Sequence, residues 1–330
     1  MLVCTIAGIL AAPAVAFAQP AGRRAPKRVA ICLGPSNAAD PIGPTRRWYA
    51  NEFARHGLVD GKDIEIVILR SKSSELDDRV AAVRQAVKRR ADVILTHGHG
   101  HYAKKFFLPV TRDIPLVLWG NDDGSEDSIE MLNRRGENVT GALYSYLDLV
   151  LKRFEIMREL RPGAKRAALV MPASREPPTD WQKRANQRDE ELLATGARKL
   201  GLEFSPVVLP RNVSAEAMVG ALRDARIDLV EIQFFFYSSP EIWEALAANG
   251  IAASGIVDSA KAGALLSGWT VGFVESAIRL AAKVVRGERA TAIPVERSMQ
   301  FGLAINLRTA RKLGIAVPPS LLLRAEEVFE

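Results

Sequence analysis

The chain has 330 residues, of which 48% are hydrophobic and 25% are charged. This balance is typical of a globular protein, excludes a disordered chain, and at this length suits two α/β lobes better than one. The net charge of +7 comes from short, scattered basic pairs among 38 acidic residues, so we expect no nucleic-acid partner.

The first 18 residues carry no charge and are nearly all small or apolar. They end in Ala16-Phe17-Ala18, a small-residue pattern that is typical of a signal-peptide cleavage site. We therefore predict a signal peptide over residues 1–18 and a periplasmic mature chain that begins at Gln19. The alternatives are a short hydrophobic anchor or a buried first strand, because the usual basic residues at the start are missing. Cys32 is then the one cysteine of the mature chain, so it forms no internal disulfide.

Short apolar runs alternate with helical patterns along the mature chain. The first series predicts strands at 29–33, 64–69, 93–96 and 116–119, and helices at 45–56, 73–89, 102–111 and 128–135. The second series predicts strands at 167–171, 203–208, 229–235 and 252–257, and helices at 147–160, 180–200, 214–226 and 240–249. A tail follows, with extended segments at 265–267, 296–301 and 304–306 and helices at 272–286, 306–314 and from 319 onward. Two successive series of this kind predict two parallel sheets flanked by helices.

Three stretches resemble one known family. They are GLVDGKDI at 57–64, GENVTG at 136–141, and the tail INLRTARKLG at 305–314 that continues to PPSLL at 318–322. On these motifs and the strand order, the chain resembles the ABC-transporter substrate-binding proteins of the tryptophan/tyrosine type. The motifs lie in turns, hinge and tail, so they do not identify the ligand.

The resemblance implies an α/β, two-lobed type I periplasmic binding fold with a three-crossover hinge near Ala142, Ser267 and Glu296. One lobe would comprise residues 19–142 and 268–296, and the other 143–267 and 297–330. It also implies a monomeric, soluble component of an import system that captures a small molecule and docks on an ABC permease in the inner membrane. Two ligand classes remain possible, an amino acid or a small organic anion. We expect no catalytic activity.

Ligands of parallel α/β sheets sit beyond the carboxyl ends of the strands, where helix N-termini direct their N–H groups. Applying this rule to each predicted strand gives a set of candidate ligand-binding residues. In the first lobe they are Ser36, Asn37, Thr96, His97, His99, Asn121 and Asp122, and in the second lobe Ser174, Phe236, Tyr237 and Asp258.

The loop His97-Gly98-His99-Gly100-His101 holds three of the four histidines of the chain. In an extended segment all three imidazoles point the same way, and Asp122 follows the next predicted strand. Imidazoles with a carboxylate could hold Zn²⁺, but glycine-separated histidines lack a known ligand set. We favour a hydrogen-bonding role toward an organic ligand and predict no metal or cofactor. The family usually has small residues in this loop.

Two further features could line the cleft. Phe234 to Tyr237 end a predicted central strand, and we expect Phe236 or Tyr237 to reach the ligand. Asp258 could bind a ligand amine, or it could instead cap the helix that begins at Ser259.

Two other functions compete with transport. An enzyme is disfavoured because the chain has no G-x-S-x-G elbow, P-loop or G-x-G-x-x-G after a strand. A metal-dependent hydrolase could be assembled only from His97, His99, His101 and Asp122. A periplasmic sensory module that passes its ligand to a receptor would share almost the whole sequence.

Overall fold

A computed structural model describes residues 25–35, 42–73, 75–98, 103–111, 113–122, 132–133, 137–174, 177, 180–236 and 239–330. The predicted signal peptide and most of the predicted helix at 128–135 lie outside these ranges. Among the described residues, no helix is both long enough and apolar enough to cross a membrane.

Within the described ranges, two sheets are built from strands that follow the predicted order closely. The strands are β1 (Lys27–Leu33), β2 (Ile64–Arg70), β3 (Val93–His97), β4 (Leu116–Asp122), β5 (Val139–Ser145), β6 (Arg166–Pro172), β7 (Glu203–Leu209), β8 (Leu229–Ile232), β9 (Ala252–Gly255), β10 (Leu266–Thr270), β11 (Glu296–Arg297), β12 (Phe301–Asn306) and β13 (Glu327–Phe329).

Helices connect most of the strands. They are α1 (Ile42–Arg55), α2 (Leu76–Lys88), α3 (Leu108–Thr111), α4 (Tyr146–Leu160), α5 (Asp180–Lys199), α6 (Ala215–Asp224), α7 (Pro240–Ala248), α8 (Ser259–Ala262), α9 (Phe273–Val285), α10 (Leu307–Lys312) and α11 (Pro319–Leu322). A π-helical turn (Ala103–Phe107) precedes α3, and short 3-10 helices cover Phe234–Phe236 and Ala290–Ala292.

The first sheet has the order β11-β5-β4-β3-β1-β2, and all its neighbouring strands are parallel. The second has the order β13-β12-β10-β9-β8-β6-β7, with β10 and β12 as its antiparallel pair. Strands such as β1 are buried on both faces, which explains their continuous apolar sequences.

Helices cover both faces of each sheet. In the first lobe, Phe53 of α1 and Ile278 of α9 pack on one face, and Val83 of α2 lies in the core on the other. In the second lobe, Phe154 of α4 and Trp243 of α7 belong to cores on opposite faces. The predicted α/β architecture of two helix-flanked, mainly parallel sheets is confirmed.

The chain passes between the sheets at three places. The first is between β5 and α4, the second between β10 and α9, and the third between β11 and β12. Each passage leaves the carboxyl end of a strand, so the carboxyl ends of both sheets lie at the junction. Backbone hydrogen bonds link the passages, from Ser298 N to Leu143 O (2.7 Å) and from Val271 N to Gln300 O (3.0 Å). The lobe ranges named above stay a prediction.

Two strands end earlier than their apolar sequences predict. The predicted strand at 229–235 ends at Ile232, and Phe234–Phe236 form a 3-10 helix instead. Gln233 still donates to Val170 O (3.1 Å), but Phe236 N already turns back to Gln233 O (3.1 Å). The predicted strand at 252–257 ends at Gly255.

Candidate functional site

The junction of the two sheets collects several of the predicted candidates at strand ends. In the first lobe, His97 ends β3, and Asn121 and Asp122 end β4. In the second lobe, Ser174 follows β6 and Asp258 follows β9, and both are exposed. The candidates Ser36, Asn37, His99 and Tyr237 lie outside the described residues, as does His101, and their roles stay predictions.

His97 is held by two neighbours. Arg79 of α2 places its Nη2 2.9 Å from His97 Nδ1 and also donates to the His97 carbonyl oxygen (2.5 Å). The imidazole meets the Trp119 ring edge-on, with 4.7 Å between the ring centroids. The half-buried imidazole therefore has a defined place at the carboxyl end of β3.

Three aromatic side chains, Trp119, Tyr144 and Phe273, form what we call the aromatic wall. The Phe273 ring lies 4.9 Å from Tyr144 and 6.2 Å from Trp119, centroid to centroid. Burial raises the pKa of Tyr144, and the charge of Arg153 opposes that rise. The phenol is therefore neutral at physiological pH and can donate or accept a hydrogen bond.

Tyr144 and Phe273 are not among the candidates that the sequence predicts. Tyr144 stands near the end of β5, so the strand-end rule would have found it had that strand been predicted. Phe273 opens α9 after the second crossover, where no strand-end signal exists.

Two predicted candidates are turned inward. Thr96 is 3% exposed, and its hydroxyl contacts the carbonyl oxygens of Cys32 (3.5 Å) and His97 (3.4 Å). Phe236 is also 3% exposed and packs in the core of the second lobe, edge-on to Phe235 at 5.3 Å. The short 3-10 helix rotates this ring away from the direction that a strand would give it.

Asp122 forms an ion pair that sequence reasoning did not anticipate. Its carboxylate is 1% exposed and accepts a hydrogen bond from Arg297 Nη2 at 3.0 Å. Arg297 lies on β11, immediately before the third crossover, so the pair ties the end of β4 to the hinge. Asn121 beside it is half-buried and stands opposite Tyr144 in the strand register.

Asp258 does not cap the helix that follows it, so the capping interpretation is wrong. Its side chain makes no cap hydrogen bond, and its backbone is left-handed, with φ at 64°. Ser267 performs that task instead, because its hydroxyl accepts a hydrogen bond from Ala260 N at 2.6 Å. Asp258 is exposed, and its carboxylate makes no cap hydrogen bond to α8.

A buried ion pair lies behind the site in the second lobe. Arg153 of α4 binds Glu231 of β8 through two hydrogen bonds of 2.8 and 2.9 Å, and both side chains are 0% exposed. Ser254 donates to the same carboxylate (2.6 Å), and Arg153 also donates to Gly268 O (2.6 Å). Burial raises the pKa of Glu231, and Arg153 opposes that rise. The pair joins α4 to three strands of the sheet.

The metal interpretation gains no support from the described part of the chain. There, no group of three or more His, Cys, Asp or Glu side chains could hold a metal ion. His99 and His101 lie outside it, so the expectation of no metal stays a prediction.

Comparison with solved structures identifies the fold. The chain is similar to a conserved domain protein from Vibrio cholerae (TM-score 0.69, 20% identity, 92% of this chain and 99% of that one). It is similar to an ABC domain in complex with L-Trp from Streptococcus pneumoniae (TM-score 0.70, 16% identity, 92% and 100%). It is also similar to the ligand-free, open structure of a substrate-binding protein with adhesive properties from Clostridium difficile (TM-score 0.67, 17% identity, 92% and 99%).

Comparisons of sequence alone find no related protein or family. No protein-family model matches the chain, and no curated protein matches it significantly. The identities to the solved structures are at or below 20%, so the likeness establishes the fold and leaves the ligand undetermined. The chain has the two-lobed type I periplasmic binding fold found in ABC-type substrate-binding proteins, as the resemblance of its motifs implies.

Proposed function

We propose that this protein is the substrate-binding component of an ABC import system, and that it captures an amino acid or a small organic anion between its lobes. One observation carries the proposal. The carboxyl ends of both parallel sheets lie at a junction crossed three times by the chain, which is where ligands of such sheets bind. We further propose a periplasmic location, an inner-membrane permease as partner, and no catalytic role.

The side chains at the junction suit a zwitterionic ligand with an apolar part. The aromatic wall offers ring faces and edges for packing. On the other lobe, Asp258 offers a carboxylate that makes no cap contact and could accept hydrogen bonds from an amine. That one of the similar structures holds L-Trp makes an aromatic amino acid the first ligand to try.

The backbone of Asp258 gives independent support. A non-glycine residue in the left-handed region costs roughly 1 kcal/mol or more, and such strain is concentrated at functional sites. Arg90 and Arg226 are the other non-glycine residues with positive φ among those described, at 53° and 55°. Both follow helix ends that face away from the junction, where a left-handed residue is usual. Asp258 instead follows a strand at the junction.

The mechanism follows from the two-lobed architecture. A ligand that contacts the aromatic wall on one lobe and Asp258 on the other binds the closed form more tightly than the open form. It therefore shifts the population toward the closed form in proportion to that difference in affinity. The permease would then recognise the closed arrangement of the two lobes, and no covalent step is needed.

The test is ligand-induced thermal stabilisation, followed by calorimetric titration. The panel contains L-tryptophan, the other amino acids and small carboxylates. A ligand at 100 times its Kd adds about 2.7 kcal/mol of stability, which corresponds to a shift of several degrees in Tm. Asp258→Gly relieves backbone strain while removing the carboxylate, so we expect an unchanged or higher Tm without ligand and at least tenfold weaker binding.

Arg90→Gly is the matched control, because it relieves the same kind of backbone strain outside the junction. We expect it to bind as the wild-type protein does. If no member of the panel stabilises a protein that has been unfolded, freed of ligand and refolded, capture of these ligand classes is refuted. If Asp258→Gly keeps wild-type affinity, Asp258 is not part of the site.

A further inference from the structure

Arg211 places a positive charge at the carboxyl ends of three neighbouring strands of the second sheet. It lies in the turn that follows β7, and its Nε donates a hydrogen bond of 3.1 Å to the carbonyl oxygen of Ala173, directly after β6. Its guanidinium carbon lies over the ring of Phe235, 4.5 Å from the centroid, in the 3-10 helix that follows β8. Because β6 lies between β7 and β8, these contacts draw the guanidinium from the edge of the sheet toward its middle. The charge therefore lies at the junction, where ligands of such sheets bind.

The two contacts hold the guanidinium in a defined orientation. A guanidinium is planar, so the hydrogen bond fixes its Nε edge while the aromatic ring covers one of its faces. Phe235 is itself held, because it meets the buried ring of Phe236 edge-on at 5.3 Å. Arg211 is thus connected through two aromatic rings to the core of the second lobe. A side chain that is ordered in advance loses less conformational entropy when it binds a ligand.

The terminal nitrogens of Arg211 have no partner in the part of the chain that the structure describes. There, Nη1 and Nη2 make no hydrogen bond and no ion pair, and neither nitrogen is buried. Arg297 at the third crossover differs, because its Nη2 binds the buried carboxylate of Asp122 at 3.0 Å. The two parallel N–H groups at the end of a guanidinium match the two oxygens of a carboxylate. Arg211 therefore offers an ordered binding group for an acid.

We propose that Arg211 binds a carboxylate of the ligand through Nη1 and Nη2, and that it makes the site selective for acids over their uncharged analogues. This assignment rests on the proposed function, because it requires a ligand at the junction. The candidates that the sequence predicts in the second lobe carry no positive charge, so Arg211 supplies the group that an acidic ligand requires there. The strand-end rule did not find it, because β7 is an edge strand and only the observed contacts bring the guanidinium inward.

Four binding measurements test the assignment. Calorimetric titration gives the Kd of the wild type and of Arg211→Met, each for an acid that raises Tm and for the amide of that acid, for example L-tryptophan and L-tryptophanamide. We expect the wild type to bind the acid about tenfold or more tightly than the amide, as the loss of a charged hydrogen bond implies. In Arg211→Met this ratio should fall close to one. Affinity for the amide should change little, which separates loss of the carboxylate contact from general damage to the site.

Arg198→Met is the matched control, because it also removes one positive charge from the second lobe. Arg198 is an exposed residue in the last turn of α5, which leads into the amino end of β7, whereas Arg211 follows the carboxyl end of that strand. We expect this variant to keep the wild-type ratio of acid to amide affinity. Arg211→Lys keeps the charge but replaces the fork with a single ammonium, so its ratio should be intermediate. If Arg211→Met does not fold, Arg211→Lys decides, and a wild-type ratio in that variant overturns the proposal.

The possible outcomes distinguish the role of Arg211 from ligand capture as such. A wild-type ratio that persists in Arg211→Met overturns the role of Arg211 and leaves ligand capture intact. An amide that binds the wild type as tightly as its acid overturns the carboxylate contact in the same way. If no acid or amide binds the refolded wild-type protein, the proposed ligand classes and the role of Arg211 are both refuted.

Discussion

Removing the negative charge from the buried ion pair should cost far more stability than removing it from a surface pair. Glu231→Gln keeps the shape of the side chain but removes the negative charge that binds the Arg153 guanidinium. Both side chains are 0% exposed, so water cannot solvate the uncompensated charge. Removing one partner of such a pair costs about 3–5 kcal/mol, whereas the whole free energy of unfolding of a protein is typically about 5–15 kcal/mol.

The same lobe offers a matched control. Arg166 and Glu203 form an Arg–Glu pair of 3.1 Å across β6 and β7, with side chains 41% and 75% exposed. Glu203→Gln should cost less than about 1 kcal/mol, because exposed pairs are solvated and screened. Urea unfolding of the two variants, followed by tryptophan fluorescence, gives both costs.

A double variant separates the cost of an unpaired charge from the value of the pair itself. Arg153→Met combined with Glu231→Leu removes both charges and should return to within about 2 kcal/mol of the wild-type stability. The remaining loss comes from Ser254 and Gly268, which lose their partners in the network. The reasoning is refuted if Glu231→Gln costs no more than Glu203→Gln, or if the double variant is less stable than Glu231→Gln.

Two further variants test burial and packing. Burial raises the pKa of Cys32 to about 12, so the thiol stays neutral in the folded protein while the unfolded chain ionises above about pH 8.5. The free energy of unfolding therefore falls as pH rises from about 8.5 toward 12, by about 2 kcal/mol at pH 10. Denaturant titrations at pH 7.5 and 10 should show this loss in the wild type and not in Cys32→Ala. Equal losses in the two proteins would contradict the argument. In Gly302→Ala, the new Cβ would lie 2.5 Å from the Trp269 ring, and the clash should cost about 1–3 kcal/mol. Gly163→Ala, which has open space around it, should change stability by less than about 0.5 kcal/mol; equal effects of the two would refute the packing argument.

The strand order was predictable because the sequence of a buried parallel strand is a short apolar run that lies between helical patterns. The same signal failed at the end of β8. The phenylalanines at 234–236 continue the apolar run, but hydrophobicity reports burial and does not distinguish a strand from a 3-10 turn. Phe236, one of the two residues expected to reach the ligand, is buried and packs into the core of the second lobe.

The ion pair of Arg153 and Glu231 shows what a single sequence leaves out. The two residues are 78 positions apart, and neither stands in a recognisable motif. One local signal was present, because Glu231 interrupts the otherwise apolar strand β8, whose four residues are all buried. A charge in such a strand requires a partner, but the identity of that partner depends on how α4 packs across the sheet.

The candidate site was predictable to the level of strand ends but not of side-chain contacts. The strand-end rule placed His97, Asp122 and Asp258 at the junction of the sheets. It could not show that Asp122 is engaged by Arg297, since that contact requires the chain to return to the first sheet through the second crossover and α9 and to place β11 beside β5. Nor could it show the left-handed backbone of Asp258, which depends on how the short helix α8 is seated.

The packing of the hinge strands indicates where closure can occur. The Trp269 ring occupies the space above Gly302, and the Phe301 ring occupies the space above Gly268. Strands β10 and β12 are therefore held together by side-chain packing as well as by backbone hydrogen bonds. Arg153 adds a hydrogen bond to Gly268 O from the helix behind them. We therefore expect rotation between the lobes at the connectors of the three crossovers, at 145–146, 271–272 and 298–300. Gly272, with φ at 75°, supplies the backbone freedom that a hinge of two residues requires.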